Sequence, residues 1–141
     1  MEAYSYHPMT IADYNEAYAL WKSIPGIGLS EADSRISIEM YLIRNPEQSF
    51  ICKSDGKIVG TILCGNDGRR AYIHHTAVAP EYRRQGIASN LVCLALEAQK
   101  KCGIQKCHLF IINENGLGKA FWSKTEFTER LDIGIMSRNL L

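Results

Sequence analysis

The stretch from Arg83 to Ser89, which reads Arg-Arg-Gln-Gly-Ile-Ala-Ser, has residue types that suit the binding of an anion. It precedes and opens a predicted helix, whose first backbone N–H groups have no internal partner and carry partial positive charge. Gly86 and Ala88 leave these amides accessible, while Arg83 and Arg84 add fixed positive charge. We therefore predict a phosphate or pyrophosphate site. An ordinary strand–helix turn with solvent-facing arginines is the alternative.

Two adjacent histidines, His74 and His75, lie shortly before Val78 in a predicted strand. Imidazole titrates near neutral pH and is therefore suited to general acid–base catalysis. Because side chains alternate along a strand, we expect the two rings on opposite faces, so that at most one enters a cleft. For either ring, a purely structural hydrogen-bonded role is the alternative.

Other chemical motifs are weak in this sequence. It has no phosphate-binding GxxxxGK[ST] loop and no Gly-x-Ser-x-Gly nucleophile turn, and Gly26-Ile27-Gly28 lacks the third glycine of a dinucleotide site. The cysteines are odd in number and without CxxC spacing, so we expect neither a disulfide framework nor a metal site. They are Cys52, Cys64, Cys93, Cys102 and Cys107. A hydrolase that pairs Cys64 with a strand histidine is a minor alternative.

The size and charge of the chain limit its class further. Its 141 residues are enough for one core of ordinary size, and we expect residues 1–141 to form a single domain. The formal net charge of +1 argues against broad capture of nucleic acid or of a membrane surface. The sequence contains no apolar run long enough to span a bilayer and does not begin like a signal peptide. We therefore expect a cytoplasmic protein.

The predicted elements follow the order β-α-α-β-β-β-α-β-α-β, which indicates an α+β fold with a mixed sheet. Helices are expected after Thr10, after Ser30 and after Gly86, and a short one at Leu117–Lys124. The predicted strands are Tyr4–His7, Ser49–Lys53, Lys57–Cys64, Ala71–Val78, Ile104–Ile112 and Phe127–Met136, the last as one strand or two.

The motif and the element order together resemble the GCN5-related N-acetyltransferases (GNAT family). Their signature for acetyl-CoA is Q/R-x-x-G-x-G/A, which Arg83, Gly86 and Ala88 match, and it follows a strand ending in V-x-P, as at Val78 and Pro80. The resemblance implies a mostly antiparallel mixed sheet flanked by about four helices. It also implies transfer of an acetyl group from acetyl-CoA to a primary amine, by direct attack in a ternary complex.

The same resemblance implies which residues bind the cosubstrate. In this family the fourth and fifth strands separate, and the pantetheine arm of coenzyme A lies in the gap. Thr76, Ala77 and Val78 would line that arm, and the amide near Val78 would stabilise the oxyanion. The pyrophosphate would be held by the backbone amides of Arg84, Gln85, Gly86, Ile87, Ala88 and Ser89. Asn115 matches the family asparagine that orients the cofactor, although a helix N-cap would also explain it.

For catalysis, the resemblance points to His74. The arylalkylamine branch of the family has a histidine in H-x-x-A-V, matched by His74 to Val78, which implies a general base acting through water. The family tyrosine that protonates the departing thiolate is replaced by Trp122, whose indole N–H is not an acid near neutrality. Trp122 is expected to pack against the pantetheine. This replacement also motivates an alternative, a non-catalytic acyl-CoA-binding or regulatory domain.

The acceptor is not identified by the sequence. We expect the first two helices and the connection Ile24–Leu29 to bind an unidentified amine, because this region varies most across the family. Pairing of the final strand between subunits would give a homodimer.

Overall fold

The computed structural model describes residues 3–141, which form two compact units, one ending at Phe110 and the other comprising Ile111–Leu141. The first unit contains three helices, α1 (Tyr14–Ser23), α2 (Arg35–Arg44) and α3 (Ile87–Lys101). Its strands are β1 (Tyr4–Pro8), β2 (Phe50–Ser54), β3 (Lys57–Asn66), β4 (Ala71–Val78) and β5 (Cys107–Leu109). The second unit contains α4 (Gly116–Lys124). None of the helices in the described part of the chain is long and apolar enough to cross a membrane.

Both N-terminal helices begin where a capping box is formed. Asp13 returns its carboxylate to the Thr10 amide at 2.9 Å, and Asp33 does the same to the Ser30 amide at 3.0 Å. Each box starts a single 3₁₀ turn, and the α-helix follows it. The predicted helix starts are therefore confirmed, with a 3₁₀ turn added before α1 and α2.

The sheet is mixed, with the spatial order β1-β2-β3-β4-β5. The first four strands form an antiparallel meander, and β5 pairs with β4 in parallel after the crossover through α3. This arrangement confirms the predicted α+β class with a mixed, mostly antiparallel sheet. The parallel pair is short, because only Ala71–Ile73 of β4 faces Cys107–Leu109 of β5.

Helices cover both faces of the sheet, and neighbouring residues of β3 show which helix packs on which face. Thr61 accepts a hydrogen bond from the indole of Trp21 on α1 at 2.8 Å. Gly60, one residue earlier, faces Ile87 and Leu91 of α3. The main apolar core lies on the α1 and α2 side, around the fully buried Trp21.

The final predicted strand is not formed. Residues 125–141 contain no strand in the structure, and Leu131, Ile133 and Ile135 are exposed although their alternation predicts one half-buried face. An alternating pattern becomes a strand only where a neighbour supplies the other half of the hydrogen-bond ladder. The strand predicted at Ile104–Ile112 is likewise shorter, since only Cys107–Leu109 is paired.

Gly60 sets how closely the start of α3 approaches the sheet, which gives a first prediction. A Cβ there would lie 2.9 Å from Ile87 Cγ2 and 3.2 Å from Leu91 Cδ1. Gly60→Ala is therefore expected to lower the free energy of unfolding by about 1–3 kcal/mol, as overpacking does. Urea denaturation measures this free energy of unfolding.

Gly28→Ala is the matched control, because no atom lies within 4 Å of a Cβ at that position. It should leave the unfolding free energy within about 0.5 kcal/mol of the wild type. Equal stability of the two variants would show that α3 is not held at contact distance.

Candidate active site

The turn before α3 exposes a set of backbone amides. The first amide that bonds within the helix is that of Asn90, which donates to the Gly86 carbonyl at 3.0 Å, so the amides of the first turn have no helical acceptor. Arg84 and Gly86 both have positive φ angles, 62° and 80°. Left-handed residues beside a helix start turn successive N–H groups toward one side, a geometry that binds anions. The space around a Cβ at Gly86 is open.

The two long side chains of this turn are tied to the rest of the first unit. Arg83 donates from Nε to the Val78 carbonyl at 3.1 Å, which fixes the turn against the end of β4. Gln85 accepts a hydrogen bond from the hydroxyl of Tyr4 on β1. Arg83 therefore positions the turn as well as adding charge, a role that its position in the motif did not reveal.

Beyond Ile73, β4 continues without β5 as a partner. The amide of Ala79 donates to the Val59 carbonyl at 2.9 Å, on the β3 side. Because N–H directions alternate along a strand, the Val78 amide points to the opposite, β5 side. Thr76 lies on the same stretch, and its buried hydroxyl has no hydrogen-bond partner among the described residues. Thr76, Ala77 and Val78 thus lie where the expected gap between the fourth and fifth strands begins.

A β-bulge in β4 changes the orientation of the two histidines. His74 is paired with Leu63 and Ala77 with Thr61, so β4 has one residue more than β3 between these pairs. His75 lies in the bulge with φ 44°, and both His74 and His75 line one pocket. The prediction that the rings lie on opposite faces is therefore wrong, because strand alternation is lost at the bulge.

His75 is held by contacts on several sides. Its Nε2 lies 2.6 Å from Asp33 Oδ1, and its ring is 4.8 Å from that of Trp21, centroid to centroid. Its carbonyl accepts a hydrogen bond from Thr61 Oγ1 at 3.0 Å. Asp33 is itself buried and accepts the Ser30 amide on Oδ2. The contacts agree with a structural role for His75.

The pocket has a volume of about 520 Å³ and lies between α2 and β4. The helix α2 and the 3₁₀ turn before it contribute most of its wall, whereas no residue of α1 lines it and the connection Ile24–Leu29 packs against the core. Sequence reasoning did not single out several of its residues, because only the fold brings them to the histidines. The lining residues are Ala32, Asp33, Ser37, Ile38, Met40, Tyr41, Arg44, Leu63, His74 and His75.

His74 is the half-buried member of the histidine pair. Burial lowers its pKa below the ordinary value of 6.5, and the positive charge of a protonated His75 lowers it further, while the Asp33 carboxylate opposes both effects. A histidine with a lowered pKa is unprotonated at neutral pH and can accept a proton. Its ring lies 6.3 Å from that of Tyr41 and 6.2 Å from that of Phe110, between centroids.

Cys64 does not approach these histidines. It is paired with Ile73, one residue from the Leu63–His74 pair, and therefore faces the other side of the sheet. There it is fully buried and its Sγ accepts a hydrogen bond from Gln99 Nε2 at 3.4 Å. The Cys–His hydrolase alternative is wrong, since the pair it requires is separated by the sheet. No cluster of three or more metal-ligating side chains occurs among residues 3–141.

The two predicted cofactor residues of the second unit have local partners. Asn115 caps α4, accepting the Gly118 amide on its side-chain oxygen at 2.9 Å. Trp122 packs edge-on against Phe121 and Phe127, with ring centroids 5.0 and 5.2 Å apart. These contacts agree with the capping and packing roles that the residue types allow. Binding of the cofactor by either residue stays a prediction.

The comparisons with known proteins agree with this geometry. The model of the acetyltransferase (GNAT) family matches residues 14–127. The chain belongs to the GNAT acetyltransferase family. An acetyltransferase of Photorhabdus laumondii is 29% identical over 122 residues, 84% of this chain and 82% of that protein. N-alpha-acetyltransferase 30 of Schizosaccharomyces pombe is 30% identical over 104 residues, 70% and 69% of the two chains.

A solved structure shows the same fold. An aminoglycoside N-acetyltransferase in complex with CoA superposes with a TM-score of 0.79 at 17% identity, and the match covers 100% of this chain and 97% of that one. The predicted GNAT fold is thereby confirmed, and so is the prediction of an acyltransferase, since the curated relatives are named acetyltransferases. Acetyl-CoA is the cosubstrate of the GNAT family, as the resemblance implied.

The contacts of His75 generate a prediction about His74 in this GNAT acetyltransferase. The ring of His74 should titrate below 6.5, and His75→Asn should raise its pKa, because the variant removes a nearby cation and leaves Asp33 unpaired. Asparagine tolerates the positive φ at this position. NMR titration of the ring protons measures both values.

His7 on β1, exposed and outside the pocket, is the internal control, and its ring signals should be the same in both proteins. A His74 pKa that stays constant or falls in His75→Asn would contradict the electrostatic coupling of the pair.

Proposed function

We propose that this protein transfers an acetyl group from acetyl-CoA to a primary amine in the α2–β4 pocket, by direct attack in a ternary complex. The observation that carries the proposal is that a single strand, β4, borders both the turn before α3 and the pocket. One end of this strand, with Val78, leads into the turn whose amides have no helical acceptor, and its bulge, with His74 and His75, lines the pocket. A donor on the turn and an acceptor in the pocket would therefore share one strand.

The residues present fit coenzyme A. The amides of Arg84, Gly86 and the first turn of α3 would hold the pyrophosphate, because they have no helical acceptor and Gly86 leaves space beside them. The unpartnered Thr76 hydroxyl and the β5-side amide of Val78 would bond to the pantetheine arm and to the thioester oxygen. Acetyl-CoA itself supplies the activated acetyl group.

His74 would accept the proton that the amine must lose. An alkylamine has a pKa of about 10.4 and is almost wholly protonated at neutral pH, so it cannot attack until a base removes that proton. Because its pKa is lowered, the His74 ring is unprotonated at neutral pH. It would accept the proton of the amine directly or through a water molecule. Asp33 and His75 would hold the bulge that presents His74 to the pocket.

No side chain is assigned to protonate the thiolate. The indole of Trp122 cannot do so, but a thiol of pKa about 8.5 can leave as the thiolate and take a proton from solvent. We therefore propose that the replacement of tyrosine by Trp122 leaves the transfer reaction intact, against the alternative of a non-catalytic acyl-CoA-binding domain. We also propose that residues 1–141 act as one domain, since the family match extends from residue 14 through both compact units to residue 127.

Gly86 and Gly103 provide a matched test of cosubstrate binding. They lie at opposite ends of α3, and both have φ 80° and open space around a Cβ. Glutamate causes similar backbone strain at either site, but only Gly86→Glu places a carboxylate at the proposed anion site. We expect Gly86→Glu to weaken acetyl-CoA binding on the order of 100-fold, measured by isothermal titration calorimetry.

Gly103→Glu should bind acetyl-CoA like the wild type. Equal weakening in both variants would mean that the effect comes from strain in α3. A wild-type protein that neither binds acetyl-CoA nor melts at a higher temperature in its presence would refute the transferase proposal as a whole.

The role of His74 predicts a pH dependence. The base must be unprotonated, so kcat/KM should fall as the pH drops through the lowered pKa of His74, below 6.5. His74→Gln should reduce kcat/KM at neutral pH by about 100-fold and remove this acidic limb. The rate of CoA thiol release across a pH series measures both effects.

His7→Gln, on the exposed surface of β1, should retain the wild-type profile. Normal turnover of His74→Gln at every pH would exclude His74 as the base.

A further inference from the structure

The charges in the α2–β4 pocket restrict which amines it can accept. Asp33 supplies the only carboxylate on the wall of this pocket within residues 3–141. Both of its oxygens are engaged, Oδ1 with His75 Nε2 at 2.6 Å and Oδ2 with the Ser30 amide at 3.0 Å. Asp33 is only 7% exposed. An additional ammonium group on a substrate would therefore find no free carboxylate in the pocket.

Arg44 gives the pocket a positive charge instead. It lies in the last turn of α2, on the same face as Tyr41 and Ser37, which are three and seven residues away, and lines the pocket with them. No carboxylate within the described part of the chain forms an ion pair with its guanidinium. Glu31 and Glu39 precede Arg44 in the same helical region, but neither lines the pocket. The unpaired fixed charge on the wall is thus a cation.

The rest of the wall is largely apolar. Ile38 and Met40 on α2, the ring of Tyr41, and Leu63 on β3 face the same space as the two histidines. Burial of a hydrocarbon or aromatic group against such a surface is favourable, because it removes apolar area from water. A volume of about 520 Å³ accommodates a small molecule.

We propose, on the basis of the transferase function above, that the acceptor is a small amine that also carries a carboxylate and an apolar body. Arg44 binds the carboxylate, for which its planar guanidinium provides two parallel N–H donors. The apolar wall covers the body of the molecule, and the amine faces His74. Polyamines and aminoglycosides are poor acceptors, because their additional ammonium groups meet Arg44 without a compensating carboxylate.

The test compares amines that carry a carboxylate with amines that lack one. Leucine and phenylalanine, their carboxamides, and spermidine are offered with saturating acetyl-CoA, and kcat/KM is measured from thiol release. We expect Arg44→Met to lower kcat/KM for the two amino acids by about tenfold and to leave that for the carboxamides unchanged. Arg44→Lys should retain part of the preference for amino acids over carboxamides. This variant separates the effect of losing the charge from the effect of disturbing the fold.

Arg69→Met is the matched control, since Arg69 is exposed in the β3–β4 turn and lies outside the pocket. It should leave all acceptors unaffected. Spermidine as the best acceptor, or an equal loss for amino acids and carboxamides in Arg44→Met, would overturn the assignment while leaving the transferase function intact.

A binding measurement separates the two proposals. Phenylalanine is titrated into CoA-saturated wild type and Arg44→Met by calorimetry. Binding that depends on Arg44, without turnover of any acceptor, would refute the transferase function and support the pocket assignment. Absence of both binding and turnover would refute both.

Discussion

The conformation of His75 is the constraint on which the candidate site depends. A non-glycine residue at φ 44° costs free energy, and it persists because several contacts hold it. Thr61 bonds to its carbonyl, Asp33 to its ring, and Trp21 packs beside it. These contacts come from β3, from the turn before α2 and from α1. The bulge is therefore stabilised by the packing of the N-terminal helices on the sheet.

The bulge has two consequences along β4. It brings His74 and His75 to one pocket, where a regular strand would separate them. It also lies next to the stretch from Thr76 to Val78, which has no partner in β5. In that stretch the Val78 amide is directed away from β3, and the Thr76 hydroxyl has no hydrogen-bond partner among the described residues. A single irregularity thus lies between the pocket proposed for the acceptor and the edge proposed for the cosubstrate.

The two faces of the sheet are used differently. On the α3 face, Gly60 allows Ile87 to pack directly on β3, which fixes the start of the helix beside the end of β4. On the α1 and α2 face, most of the wall of the pocket is built from α2 and the turn before it, outside the sheet. A shared fold therefore does not define the acceptor. The charged groups of the pocket bear on it: both oxygens of Asp33 are engaged, and Arg44 has no ion-pair partner within residues 3–141.

Local signals in the sequence were sufficient for most of the architecture. The capping residues Thr10 and Ser30, the glycine at the start of α3 and the apolar runs of β3 and β4 act over a few residues, so their effects could be predicted without the fold. The turn proposed to bind the pyrophosphate belongs to the same group, because a helix start and a glycine are consecutive in sequence. The final strand failed for the opposite reason, since a strand needs a distant partner.

The sequence by itself determined the order of the elements as far as α4, the turn before α3 and, through its motif, the family. Only the tertiary structure decided that His75 leaves the strand alternation, that its ring contacts Asp33 and that Arg44 lines the same pocket. These residues are separated by up to 42 positions, and their relation depends on how α1 and α2 pack against β3 and β4. Contacts between distant segments leave no local pattern in the sequence, because they depend on packing and hydrogen bonding across the whole fold.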